Sequence, residues 1–74
     1  MTTTQDIAAY LTETFGMIVE VNNAASLDWT DGHHCSGRVT LRNDGTLCED
    51  VDGETHEHAD YQEFKDAWEQ GMDD

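Results

Sequence analysis

Residues 58–70 read His-Ala-Asp-Tyr-Gln-Glu-Phe-Lys-Asp-Ala-Trp-Glu-Gln, and two patterns are interleaved in them. Tyr61, Phe64, Ala67, Trp68 and, further on, Met72 recur at the i, i+3, i+4, i+7 spacing that gathers apolar side chains into one helical stripe. That stripe has to be buried. Between those positions Glu57, Asp60, Glu63, Asp66 and Glu69 recur every third residue, followed by Asp73 and Asp74, with Lys65 the single base. Like charges three apart on a helix repel by about 0.2–0.5 kcal/mol, so the four successive pairs from Glu57 to Glu69 together cost about 1–2 kcal/mol. Solubility alone would be served as well by interspersed lysines.

Upstream of this helix the clearest local signal is a β-hairpin: Arg38 to Arg42, the loop Asn43-Asp44-Gly45, and Thr46 to Val51. A three-residue loop pairs Arg42 with Thr46, Leu41 with Leu47, Val39 with Glu49 and Arg38 with Asp50. A two-residue Asp44-Gly45 turn would instead set Leu41 opposite Cys48. The first register is preferred because it matches Leu with Leu and Arg with Asp. It also places Cys35 and Cys48 on opposite sides, which disfavours a disulfide between them.

At the other end of the chain, Thr3 with Asp6 resembles a capping box, and Ile7, Tyr10, Leu11 and Phe15 form an apolar stripe that Gly16 is suited to end. Met17 to Val21 and Ser26 to Thr30 read as strands around the turn Asn22-Asn23-Ala24-Ala25, with Leu27 and Trp29 inward and Asp28 outward; Asp31-Gly32 breaks the second. Asp52-Gly53-Glu54 reads as a turn into the last helix, where Asp60 and Glu63 offer a second capping box and Gly71 a stop. The expected fold is α+β: a small antiparallel β-sheet of three to four strands flanked by an N-terminal and a C-terminal helix, in the order α-β-β-β-β-α, as a single domain over residues 1–74.

Charge sets the class of partner. The 74 residues carry a formal net charge of −14, and its placement is lopsided: residues 1–43 hold five acids and two bases, residues 44–74 twelve acids and one base. Such a surface repels nucleic acid and anionic membranes and is drawn to basic surfaces. Direct nucleic-acid binding is not expected. The sequence has no apolar run long enough for a membrane span and no signal-peptide core after Met1-Thr2-Thr3-Thr4, so a cytoplasmic protein is expected. Two cysteines are too few for the disulfide framework of a secreted mini-domain.

Chemistry-bearing constellations are sparse. His33, His34, Cys35, Cys48, His56 and His58 are residue types used by zinc or copper, and Cys35, Cys48, His56 and His58 form a secondary metal-site alternative. Their spacing matches none of the usual short ligand pairs. Asp44, Asp50, Asp52 and Glu54 are hard oxygen donors but lack the order of an EF-hand loop. Cys35 beside two histidines lacks a third, orienting group, and no catalytic pair stands out among so many acids. Neither enzymatic activity nor a cofactor is expected.

By its short length, strong acidity, compact α+β pattern and the acidic segment from Asp44 to Asp74, the chain resembles the small acidic inhibitors encoded by phages and other mobile elements, including DNA-mimic and anti-CRISPR proteins. That resemblance implies binding to a basic, nucleic-acid-handling host protein such as a CRISPR effector subunit, a restriction enzyme or a repair enzyme, by a monomer or homodimer. The expected contact surface comprises Glu49, Asp50, Asp52 and Glu54 of the hairpin with Glu57, Asp60, Glu63, Asp66 and Glu69 of the helix. Two alternatives compete with it: a halophilic-type acidic domain, whose acids should be spread over the whole surface, and a small metal-binding regulatory domain using the His/Cys set.

Overall fold

The computed structural model describes residues 2–33, 35–51 and 53–71. Helix α1 (Thr4–Phe15) begins at the capping box expected from sequence: the Asp6 amide donates to Thr3 Oγ1 at 3.1 Å and the Thr3 amide to the Asp6 carboxylate at 3.0 Å. Two orphan donors of the first turn are thereby satisfied. Gly16 closes the helix at φ 71°, a left-handed conformation that costs a residue without Cβ nothing. Ile7 and Leu11 are fully buried, while Tyr10 and Phe15 pack at the margin of the core.

Five strands follow as an antiparallel meander in sequence order: β1 (Ile18–Val21), β2 (Ser26–Thr30), β3 (Ser36–Leu41), β4 (Leu47–Val51) and β5 (Glu54–His58). Alternation along them separates an inner face, with Leu27, Trp29, Val39 and Leu47 buried, from an outer face bearing Asp28, Arg38 and Asp50. The β3–β4 hairpin has the three-residue loop and the register read from sequence: Leu41 faces Leu47, Val39 faces Glu49, Arg38 faces Asp50, and the Arg42 amide donates to the Thr46 carbonyl at 2.9 Å. Cys35 packs against the core, Cys48 lies on the outer face between Thr40 and Glu57, and no disulfide joins them.

The fifth strand departs from the sequence expectation of at most four. Residues 54–58, read as a turn and the start of a helix, pair with β4, so that Leu47 faces His58, Glu49 faces His56 and Val51 faces Glu54. The pairing satisfies the free edge of β4 and moves the open edge of the sheet to the short, polar β5. A Glu-Thr-His-Glu-His segment carries no apolar alternation to announce this, because at an edge most of it stays exposed. The connection spans only residues 52 and 53, with Gly53 at φ 83°; Asp52 itself lies outside the described residues.

Helix α2 (Tyr61–Gly71) therefore starts three residues later than expected. Phe64 and Trp68 are buried, Tyr61 is half-buried and Ala67 is exposed, so the apolar stripe is narrower than its spacing suggests. The expected stripe member Met72 and the acids Asp73 and Asp74 lie outside the described residues, as does His34. Both helices cover the inner face and share one core: Trp68 packs edge-on against Trp29 of β2 at 4.8 Å between ring centroids and, tilted, against Phe15 of α1 at 5.3 Å, and Tyr61 meets Tyr10 at 6.0 Å. No described helix is long and apolar enough to cross a membrane.

Trp29 occupies its place because the residue facing it, Gly37, has no side chain. A Cβ there would lie 2.7 Å from Trp29 Cζ2 and 2.8 Å from the Asp50 carbonyl oxygen, closer than van der Waals contact allows. Gly37→Ala is expected to cost about 1–3 kcal/mol through overpacking, and Phe64→Ala about 3–5 kcal/mol through the cavity it leaves. Urea denaturation should show both as a lower midpoint at an unchanged slope.

Candidate interaction surface

Since Phe64 and Trp68 anchor α2 to the sheet, the residues between them in the helical repeat are turned outward: Glu63, Asp66 and Glu69 are all exposed. Asp60 caps the helix, its Oδ1 accepting from the Glu63 amide at 2.9 Å and its carbonyl from the Phe64 amide at 3.1 Å. An acid at this end is favoured by the helix dipole. Further along, Gln62 donates to Asp66 at 3.1 Å. Glu69 accepts from the Tyr10 hydroxyl at 3.4 Å, and burial, reinforced by this carboxylate, pushes the Tyr10 pKa up to about 12.

The three bases of the chain are all engaged elsewhere. Arg38 Nε pairs with Asp28 Oδ1 at 2.8 Å and Arg42 Nη2 with Glu57 Oε1 at 3.0 Å, both on the outer sheet face. The hydrogen bond from Arg38, aided by Asn22, holds the Asp28 carboxyl below its ordinary range. Lys65 sits over the Tyr61 ring at 4.7 Å and near that of Tyr10 at 5.9 Å, a cation–π clamp on the seam between the helices. Among the described residues none forms an ion pair with Glu63, Asp66 or Glu69.

The structure divides the acids that the sequence analysis grouped together. Asp60, Glu63, Asp66 and Glu69 lie on the helical layer. Asp50, which accepts from Thr55 Oγ1 at 2.7 Å, and Glu57 lie on the outer face of the sheet, on the far side of the molecule from α2. Glu57 is thus a strand residue and no part of the helical row. Glu54 is exposed at the β5 edge, and Asp52 lies outside the described residues. A single band running from hairpin to helix does not form, because the sheet stands between its two halves.

Glu49 is a clearer correction. Expected as a surface contact, it is buried on the inner face, where His58 Nε2 lies 3.4 Å from its Oε1. Burial pushes its carboxyl up, against the opposing pull of His58. The two line an open cleft of about 390 Å³ beneath α2, together with Trp29, Trp68 and His56. The alternative set Cys35, Cys48, His56 and His58 is not brought together, since Cys48 faces the opposite side of the sheet from both histidines. Among the described residues, no group of three or more His, Cys, Asp or Glu side chains is already poised around one point.

An acidic row without ion-pair partners among the described residues leaves a signature in stability. Asp66→Lys replaces two repulsive i, i+3 pairs, with Glu63 and with Glu69, by attractive ones and should stabilise the domain by about 1 kcal/mol at low ionic strength. The gain should fade in 1 M salt, where the screening length falls to about 3 Å. Thermal denaturation at the two ionic strengths measures it.

No protein-family model, curated protein or solved structure matches the chain. What it does is therefore read from its own charge and geometry.

Proposed function

We propose that this protein is a small, non-enzymatic inhibitor that presents the acids of α2 to a Lys/Arg-lined nucleic-acid groove of a host protein in the host cytoplasm, and so keeps nucleic acid out, as anti-CRISPR and other DNA-mimic anti-defence proteins do. One observation carries this function: Glu63, Asp66 and Glu69 are exposed on one helix without a cation partner among the described residues, while all three bases are spent elsewhere. Successive acids advance about 4.5 Å along the helix axis and turn by about 60°, so the three span roughly a third of its circumference. Phosphates of one DNA strand advance about 3.4 Å each. A groove that neutralises phosphates is thereby offered charges at comparable pitch, and releases the same counterions on accepting them.

Asp60 extends the row by one position at the N-terminus of α2. Glu54 adds charge at the sheet edge on the helix side, whereas Asp50 and Glu57 face away and contribute only to the long-range field that speeds encounter. The halophilic alternative predicts a different behaviour, namely folding that depends on molar salt.

The decisive variant is Glu63→Lys with Asp66→Lys. Capture of a basic partner from nuclease-treated prokaryotic lysate, followed by measured affinity for that partner, should fall about tenfold or more at about 0.1 M salt, with the difference shrinking as salt rises. Added duplex DNA should displace the wild-type protein. Equal affinity of the double variant, with its circular dichroism unchanged, would exclude the α2 row as the contact surface. A wild-type chain that unfolds in dilute buffer would favour salt adaptation instead.

A further inference from the structure

We propose that the inner face shared by β4 and β5 is a binding site for one divalent transition-metal ion of the zinc class, held by Glu49, His56 and His58. In a helix, residues two apart diverge by more than a quarter turn, and His56-x-His58 would be a poor ligand pair. In a strand they point the same way. Since residues 54–58 are β5, His56 and His58 share the inner face, and the register sets Glu49 directly across from His56 and diagonal to His58. Two imidazoles and one carboxylate thus line one cleft.

The separation of Glu49 and His58 is compatible with a shared metal ion. His58 Nε2 and Glu49 Oε1 are 3.4 Å apart, long for a direct N–H···O contact, whose mode is about 2.9–3.0 Å. Ligands about 2.0–2.1 Å from a tetrahedral zinc stand roughly 3.3–3.4 Å from one another. Both side chains are buried, and such a pair is costly to desolvate for one long contact; a cation between them would compensate both. The Trp68 indole N–H is buried without a hydrogen-bond partner and Trp68 lines the same cleft, so it would serve as the outer-sphere donor that orients a ligating oxygen.

His56 completes the set by rotation. Its imidazole is half exposed, with Nε2 3.6 Å from Glu54 Oε2, so the three donors do not yet surround one point. An exposed side chain changes rotamer on the picosecond-to-nanosecond scale, so closure needs no backbone movement. Glu54, on the same face, is available as a fourth donor, and the open side of the cleft leaves room for water in its place. Imidazole with carboxylate suits zinc, nickel, cobalt or copper rather than calcium, which prefers oxygen alone. The bound ion would clasp the edge strand to β4 under α2. Glu49, His56 and His58 are not among the acids of the proposed partner surface, so the site stands or falls without that partner.

The test uses the full chain without a His tag, stripped with chelator, then titrated with Zn2+ by calorimetry and with Co2+ by absorption. One equivalent should bind, the Co2+ spectrum should lack a thiolate charge-transfer band, and the NMR signals of His56 and His58 should shift while that of His33 does not. His56→Gln, at an exposed position, should weaken binding about tenfold or more, whereas Cys48→Ser and Glu63→Gln should leave it unchanged. Absence of a one-equivalent event in the wild type, equal affinity in His56→Gln, or unshifted His56 and His58 signals at saturation would overturn the proposal.

Discussion

The edge-on contact between Trp68 and Trp29, 4.8 Å between ring centroids, is what the rest of the molecule depends on. It fastens the C-terminal helix to the second strand across the inner face of the sheet, and it exists only because Gly37 leaves the space that Trp29 occupies. Phe15 and Phe64 close around the Trp68 indole, so that one aromatic cluster ties both helices to the sheet. In a 74-residue chain with a modest apolar share, such large side chains supply the area that a small core otherwise lacks.

Once Trp68 and Phe64 point down, the direction of every other side chain on α2 follows. Glu63, Asp66 and Glu69 must face water, and the repulsion along them is carried by the packing underneath. Lys65, the one base near enough to relieve it, is drawn sideways over Tyr61 and Tyr10. The arginines sit on the opposite face, each matched to an acid across a strand pair or near it. The two faces differ in kind: the outer sheet face is internally neutralised in part, whereas Glu63, Asp66 and Glu69 on the helical face have no ion-pair partner among the described residues.

The same sheet shapes the polar interior. Glu49 and His58 lie under α2 because alternation puts them on the side of Leu47, and the antiparallel register then brings His56 alongside. That the hairpin pairs Val39 with Glu49 was legible in the sequence, and it already implied that Glu49 shares the face of a core valine. Its acidic identity argued for the surface; the pleat overruled it. The fifth strand was harder to see. Asp52-Gly53 is a two-residue hairpin signal, but the following Glu-Thr-His-Glu-His lacks the alternating apolar residues that would distinguish a strand from the acidic run into a helix. The strand shows only in its pairing with β4.

By itself the sequence determined what depends on near neighbours: the capping box of Thr3 and Asp6, the glycine stop of α1, the register of the β3–β4 hairpin, the buried stripe of Phe64 and Trp68, and the lopsided excess of acid. These are local, because a cap, a turn or a helical period is set by residues within a few positions. Tertiary structure alone decided the fifth strand, the burial of Glu49 against His58 and the division of the acids between two faces. Each rests on which strand lies beside which and on the side of the sheet where the helices settle, and these are contacts between residues distant in the chain.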